Sequence, residues 1–223
     1  MKVIHTKREW IDGDDRDFQS GHASTLVELA SGDVLAAWFG GSWEKGNDVA
    51  IWMSRRTKEG WEKPWVVADT RGIALWNPVL FRREDGTIFL YYKEGETIAS
   101  WRTMVKKSQD DGKTFSPAFE LVKGDIGGRG PVKNKPITLS NGDILAPASL
   151  EGPLWDCFVD RSTDGGETWK SSEFVPVRRI GFDEVHIVPH RKHCYGKGII
   201  QPTLWESEPG HVHMLTRSTS SAI

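Results

Sequence analysis

Short apolar runs alternate with glycine-containing turns along the whole chain. The segments ASGDVLAAW, REDGTIFLYY and SNGDILAPA each place a glycine (Gly32, Gly86 or Gly142) directly before an apolar run. A short β-prone segment precedes each of them (HASTLVEL, WNPVLFRR and NKPITLS), and a fourth such segment, QPTLWES, begins at Gln201. A tight turn followed by alternating or continuous apolar residues predicts a hairpin that enters a second strand. No segment shows convincing helical periodicity.

A second repeated feature is the pattern S-x-D-x-G-x-T-W, known as an Asp-box. The segment STDGGETW matches it at every defined position, SQDDGKTF matches with Phe in place of Trp, and SRRTKEGW from Ser54 keeps only Ser, Gly and Trp. The three initial serines are 54 residues apart. We expect the aspartates to accept backbone N–H groups in a turn between strands, and the final aromatic residue to pack between sheets. The residues with this structural role are Ser108, Asp110, Gly112, Ser162, Asp164, Gly166 and Trp169.

Each unit therefore predicts four antiparallel strands in about 54 residues, which is typical of a β-propeller blade. The fold class is all-β, with repeats at approximately 20–70, 71–125, 126–180 and 195–223. These make about three and a half blades of a single partial propeller domain that spans residues 1–223. A six-bladed propeller needs roughly 300 residues or more. The expectation is that the chain is truncated at its C-terminus.

Polar residues precede the predicted innermost strand of each blade, and ligands bind at this end of a propeller. Loops between the second and third strands open at the same end, and Arg217 ends a second strand. Carboxylates, cations and indoles in one cleft suit an anionic or hydroxyl-rich sugar. For two of these polar residues a structural role is an open alternative to a role in ligand binding or catalysis: Asp48 suits an Asx-turn, and His22 suits a structural histidine. The candidates for catalysis are Asp48, Gln201 and Glu151, and those for substrate binding are His22, Trp76, Asn77, Lys93, Lys133, Asn134, Lys135 and Arg217.

Composition narrows the classes of function. The formal net charge of −2 comes from 29 basic and 31 acidic residues without a basic stripe, so neither nucleic acid nor an anionic membrane is an expected partner. The first residues lack the apolar core of a signal peptide, which predicts a cytoplasmic protein. Eleven tryptophans suit either sugar-binding faces or repeat cores. The spacing of His186, His190, His193, His211 and His213 fits no familiar metal site, and we expect no metal or cofactor.

The repeats and their flanking segments resemble the sialidase (neuraminidase) superfamily, specifically sialidase-like proteins with BNR or Asp-box repeats. The resemblance rests on GHASTLVELASGDVLAAWFGG, DVAIWMSRR, WNPVLF, GPVKNKPITLSNGDILAPASLE, RSTDGGETW and IIQPTLW. It implies a six-bladed propeller that removes terminal sialic acid with retention. It also implies that Asp48 is the acid/base and that Arg217 is one arginine of the carboxylate-binding triad.

Two positions differ from the family's pattern. His22 stands where the first triad arginine is expected, and Gln201 where the glutamate that activates the tyrosine nucleophile is expected. Arginine is always charged and binds a carboxylate bidentately, whereas histidine at neutral pH is uncharged and does not bind a carboxylate in this way. Glutamine, unlike glutamate, cannot accept the proton of the tyrosine. The sequence therefore predicts a sialidase-like exo-glycosidase that acts on a terminal, acidic sugar of a glycan. The alternatives are a non-catalytic carbohydrate-binding or protein-interaction propeller and a polysaccharide lyase on the same fold.

Overall fold

The chain folds into consecutive antiparallel β-sheets. The computed structural model describes residues 6–13, 16–177, 179–180 and 194–219. These residues form three sheets of four or five strands, a two-stranded parallel pair and a two-stranded hairpin, with one short 3-10 turn at Ile98–Ser100. No helix within the described part of the chain is long and apolar enough to cross a membrane. The prediction of an all-β fold built from propeller blades is confirmed.

The first sheet follows the predicted order of strand, glycine turn, strand, loop and strand. The second strand pairs with the first and the third, and the third also pairs with two short outer strands. Its strands are β1 (Ser20–Glu28), β2 (Val34–Gly41), β3 (Ala50–Thr57), β4 (Gly60–Trp61) and β5 (Trp65–Ala68).

The second and third sheets repeat this order with four strands each. The second contains β6 (Leu75–Arg82), β7 (Ile88–Glu94), β8 (Arg102–Ser108) and β9 (Phe119–Glu120). The third contains β10 (Ile137–Thr138), β11 (Ile144–Glu151), β12 (Trp155–Ser162) and β13 (Lys170–Ser171). Strand β10 has only two residues, and Pro136 directly before it has no N–H group to donate to a ladder.

The chain continues into a small parallel pair and then a long hairpin. The parallel pair joins β14 (Arg179–Ile180) to β15 (Cys194–Tyr195), an element that the repeat pattern did not predict. The hairpin consists of β16 (Ile199–Glu208) and β17 (His211–Ser218), and β16 contacts β11 of the third sheet. Together the three sheets and this hairpin correspond to three and a half blades.

The second sheet is buried on both faces. On one face, Leu80 and Leu90 belong to a core shared with the first sheet. On the other face, Val79, Phe89 and Tyr91 belong to a second core. The third sheet contributes Ile144 to this second core, and its Asp-box turn contributes Trp169. Full burial of each large apolar side chain contributes about 1.5–3 kcal/mol relative to exposure. The continuous apolar run IFLYY therefore reflects a strand without a solvent face.

The Asp-box turns are closed by their own side chains. In the second sheet the Thr114 backbone N–H donates to Asp110 Oδ1 (2.9 Å) and the Thr114 hydroxyl donates to Asp110 Oδ2 (2.6 Å). In the third sheet the Thr168 backbone N–H donates to Asp164 Oδ1 (2.9 Å). These hydrogen bonds hold the pKa of both carboxyl groups well below its usual range. The aspartates are thus ionised acceptors within a turn.

Each Asp-box turn also contacts the preceding sheet. Arg55 Nη2 on β3 donates to the carbonyl oxygen of Asp111 (2.6 Å), and Arg83 Nη1 after β6 donates to that of Gly165 (2.8 Å). The Trp169 ring meets Tyr91 edge to face at a centroid distance of 6.4 Å. The repeated boxes therefore join neighbouring blades as well as closing their own turns.

Candidate functional site

The innermost strands of three units carry the same irregularity near their start. Pairing shifts register between His22 and Thr25 in β1, between Trp76 and Val79 in β6, and between Ile200 and Thr203 in β16. A β-bulge of this kind redirects a side chain and is over-represented beside active sites.

The residue inside each bulge has a left-handed backbone. The φ angles are 56° at Ala23, 42° at Asn77 and 52° at Gln201, a region that residues other than glycine adopt uncommonly. Such conformations persist only where the surrounding structure holds them, and they cluster at ligand sites. The sequence placed Asn77 and Gln201 at the strand starts, but it did not reveal the bulge. The proline that follows each of them was the available signal.

The structure brings three candidates together where the third sheet meets the final hairpin. The Asn134 side-chain amide donates to the carbonyl oxygens of Gln201 and Pro202, both at 3.0 Å. The Gln201 backbone N–H donates to Ser149 Oγ (3.2 Å), and the Ser149 hydroxyl lies 3.4 Å from Glu151 Oε1. The Gln201 side chain also hydrogen-bonds the Glu151 carboxyl group. Asn134, Gln201 and Glu151 therefore form one connected polar cluster.

Burial determines the proton affinity of Glu151. This half-buried carboxyl group has a raised pKa because burial disfavours its charged form. Hydrogen bonds from Ser149 and Gln201, and the positive charges of Lys93 and Arg217, oppose the shift without cancelling it. Compared with an exposed glutamate, Glu151 holds its proton at a higher pH, which suits a general acid.

Three cationic residues adjoin this cluster in space or in sequence. Arg217 is exposed near the end of β17, and its guanidinium carbon lies 6.0 Å from the centre of the Trp155 ring. Lys133 and Lys135 flank Asn134, and burial lowers the pKa of both amines. The junction therefore combines a protonatable carboxyl group with cations that suit an acidic ligand.

Asp48 has the opposite electrostatic character to Glu151. It is exposed in the loop between β2 and β3, where the Ser42 backbone N–H (2.9 Å) and hydroxyl (2.5 Å) both donate to its Oδ2. These bonds lower the pKa of the Asp48 carboxyl group. An ionised Asp48 suits a base or an acceptor, so the structure does not favour the expectation that it donates the proton.

His22 lies at the same end of the first sheet. Its exposed ring meets Phe39 edge to face with a centroid distance of 5.6 Å, directly before the bulge at Ala23. The ring nitrogens of His22 suit hydrogen bonding to a sugar hydroxyl.

Three residues expected to bind substrate, Trp76, Asn77 and Lys93, are buried instead. Trp76 is 3% exposed, packs between Phe39 and Trp101, and donates its indole N–H to the carbonyl oxygen of Gly95 (3.0 Å). It is a core residue because the indole bridges the first and second sheets.

Lys93 is fully buried, and its ammonium group donates to Thr103 Oγ1 (2.7 Å) and to the carbonyl oxygen of Arg129 (2.8 Å). Burial lowers the pKa of Lys93 to about 7. A buried ammonium group with these partners does not contact a ligand directly, which corrects the sequence-based assignment.

Within the residues that the structure describes, no group of three or more histidine, cysteine, aspartate or glutamate side chains is arranged to hold a metal ion. His186, His190 and His193 lie outside the described residues.

The repeats of this chain match a known protein family. The family described as BNR repeat-like domain matches residues 32–223, which is most of the chain. The chain belongs to this family. The resemblance to the sialidase-like BNR superfamily is thereby confirmed. The comparison with curated proteins gave no match.

Solved structures similar to this BNR repeat-like chain include several sialidases. A Hadza microbial sialidase superposes with a TM-score of 0.68 at 17% identity, with 89% of this chain and 42% of that chain covered. Trypanosoma rangeli sialidase in complex with sialic acid gives 0.64 at 15% identity, with 91% and 35% covered. A leech intramolecular trans-sialidase gives 0.68 at 12% identity, with 96% and 50% covered. These likenesses show the fold, and the chain spans half or less of each of these three structures.

Proposed function

We propose that this chain carries the sugar-binding end of a sialidase-like exo-glycosidase that acts on a terminal, acidic sugar of a glycan. The observation that carries the proposal is the polar cluster around Glu151, which places a carboxyl group of raised pKa next to Gln201 and within the field of Arg217. Membership of the BNR repeat-like family and the fold shared with sialidases support the same reaction class.

The two carboxyl groups differ in a way that suggests separate roles. Environments that move two pKa values apart distinguish an acid from a base. Glu151, whose pKa is raised, would protonate the glycosidic oxygen, so that the C–O bond breaks and the remainder of the glycan leaves as an alcohol. Asp48, whose pKa is lowered, would act as the ionised partner. The anomeric carbon would finally receive the hydroxyl group of water.

The remaining candidates divide by charge. Arg217, Lys133 and Lys135 would bind the acidic group of the sugar through charge-assisted hydrogen bonds. The neutral side chains of His22 and Gln201 would bind hydroxyl groups. Asn134 would position Gln201 through its two bonds to the backbone of β16.

A non-catalytic carbohydrate-binding propeller is the second candidate. The observation that favours it is the capture of Asp48 by two hydrogen bonds from Ser42, which leaves its carboxylate engaged before any ligand arrives. A binding protein needs the polar cluster and the cations but does not need a proton donor.

The test is to incubate the purified protein with chromogenic glycosides of N-acetylneuraminic acid, glucuronic acid, galacturonic acid and neutral hexoses. The proposal expects release of a monosaccharide from an acidic glycoside, and loss of that release in Glu151→Gln. Glu167→Gln is the matched control because Glu167 is an exposed carboxylate of an Asp-box turn, paired with Lys107. Saturable binding without release would identify a binding module, and an unsaturated product detected by ultraviolet absorbance would identify a lyase.

A further inference from the structure

A segment of irregular backbone connects the second and third sheets at the candidate site. Residues 127–135 read GGRGPVKNK, and no residue of this described segment lies in a strand or a helix. Three of its glycines have positive φ angles. Glycine loses more conformational freedom on folding than any other residue, so contacts with other elements must hold the segment in place. The candidate binding residues that it carries are Lys133, Asn134 and Lys135.

The side chain of Lys93 holds this segment from the interior. Its ammonium group donates to the carbonyl oxygen of Arg129 (2.8 Å) and to Thr103 Oγ1 (2.7 Å). The Thr103 hydroxyl also donates to the carbonyl oxygen of Arg129. Lys93 is completely buried, and Thr103 is 5% exposed. Two buried donors, one from β7 and one from β8, thus converge on a single carbonyl oxygen of the segment.

Further contacts continue from this carbonyl group towards the candidate binding residues. The Gly130 backbone N–H, which belongs to the same peptide unit, donates to Asp160 Oδ2 (2.5 Å) on β12. Val132 is completely buried, and its N–H donates to the carbonyl oxygen of Pro147 (3.2 Å). The Asn134 side chain then donates to the backbone of β16. The peptide unit that Lys93 contacts and the amide of Asn134 therefore lie within one short stretch that is supported along its length.

The burial of a lysine at this position is costly. Lysine is almost never fully buried unless it is paired, because removing its charge from water is unfavourable. Burial lowers the pKa of Lys93 to about 7, although the negative charges of Asp160, Glu151 and Asp125 oppose the shift. A methionine would fill much of the same space without this cost, but it could not donate to the carbonyl oxygen of Arg129. The hydrogen bonds are thus what distinguishes lysine from an apolar residue here.

We propose that Lys93 is a positioning residue, which ties the segment 127–135 to β7 and so presents Lys133 and Asn134 to the ligand. Lys93 acts through the backbone carbonyl group of Arg129 and not through contact with the ligand, in agreement with its complete burial. This inference rests on the proposed function for the identity of the ligand, whereas the tie itself is a property of the fold.

Amide hydrogen exchange followed by mass spectrometry measures the tie without any ligand. Lys93→Met keeps a long side chain and removes both hydrogen bonds of the ammonium group. The peptide that contains the amides of Gly130 and Val132 should exchange about 10-fold faster or more, as the loss of a hydrogen bond from a charged donor predicts. Peptides from β16 and β17 should keep their exchange rates.

Two sets of variants separate this local role from a general loss of stability. Lys106→Met is the matched control, because Lys106 on β8 donates to the carbonyl oxygen of Val67 (2.6 Å), outside the segment. It should leave the exchange of residues 127–135 unchanged. Thr103→Val should quicken exchange in the segment as Lys93→Met does, whereas Thr103→Ser keeps the hydroxyl group and should restore the original rate.

Equilibrium binding gives a second measurement. The probes are N-acetylneuraminic acid, D-glucuronic acid and D-galacturonic acid, each titrated by ligand-observed NMR. Lys93→Met should weaken the binding of an accepted acid by about 3–30-fold, the range expected for a residue that acts through packed neighbours. Lys106→Met should leave this affinity unchanged.

The outcomes distinguish this inference from the proposed function. Unchanged exchange in Lys93→Met, or a rise of equal size throughout the chain, would overturn the inference. An acid that binds Lys93→Met as tightly as it binds the unaltered protein would do the same. If none of the three acids binds, the proposed function loses its acidic ligand, while local quickening in Lys93→Met and Thr103→Val still supports the tie.

Discussion

The contact between the second and third blades depends on a buried ion pair that can be tested directly. Asp160 is completely buried, and its Oδ1 lies 2.7 Å from both Nε and Nη2 of Arg129. Its Oδ2 accepts the backbone N–H of Gly130 (2.5 Å), and Arg129 Nη2 also donates to the carbonyl oxygen of Trp169 (3.0 Å). The carbonyl oxygen of Arg129 accepts from Lys93, which links the pair to β7.

Replacing Arg129 with methionine removes the guanidinium group but leaves the buried carboxylate. Loss of one partner of a buried ion pair costs about 3–5 kcal/mol, because the remaining charge is uncompensated. We therefore expect Arg129→Met to lower the free energy of unfolding by this amount. Lys63→Met is the control, since the Lys63 and Asp17 side chains that it separates are 84% and 60% exposed. An exposed pair of this kind contributes about 0–1 kcal/mol.

The assay is urea-induced unfolding followed by tryptophan fluorescence, with the free energy taken from the midpoint and the slope. The double variant Arg129→Met, Asp160→Leu should recover much of the loss, since an apolar replacement of both partners is often close to neutral. Equal losses in Arg129→Met and Lys63→Met, or no recovery in the double variant, would refute the conclusion that the buried charge of Asp160 requires Arg129.

Three further predictions concern protonation and turns. The pKa of Lys93 is about 7 in the folded protein, against an ordinary value near 10.4. Between these pH values the unfolded chain binds more protons than the folded protein, so the free energy of unfolding should rise with pH across that window. Lys93→Met should lack this rise in unfolding titrations at pH 7, 8.5 and 10. Glu151→Gln should reduce turnover of an accepted glycoside by about 100-fold or more while circular dichroism shows an unchanged fold. Asp164→Ala should lower the thermal midpoint, because Thr168 loses both of its bonds to the carboxylate, whereas Glu173→Ala at an exposed position should not change it. The Asp164 pKa is held low, so its stabilisation should fade only as pH falls below the ordinary aspartate range.

The blade repeat could be predicted from the sequence because its signals are local. A glycine in a tight turn, an apolar run and an Asp-box each act within fewer than ten residues, and their regular spacing of 54 residues carries the order of strands. The carboxylate of Asp164 and the hydroxyl of Thr168 are only four residues apart, so their interaction follows from the motif. The sequence also located the starts of the inner strands, and this placed Asn77 and Gln201 at the end of the propeller that carries the candidate site.

Residues that act across blades required the tertiary structure. The polar run around Lys93 predicted a loop at the mouth of the cleft, but contacts with Thr103 and with Arg129, 36 residues away, make Lys93 an interior group. The same holds for Trp76, whose indole is buried between Phe39 and Trp101.

The candidate site shows the same division. Sequence patterns alone determined an all-β propeller and the end at which its polar residues lie, because strand alternation and turn chemistry are properties of short segments. Only the tertiary structure decided that Glu151 meets Gln201, 50 residues away, and that Trp155 meets Arg217, 62 residues away. The packing of one blade against the next creates these contacts, and it also sets the burial that raises the pKa of Glu151 while leaving Asp48 exposed to solvent.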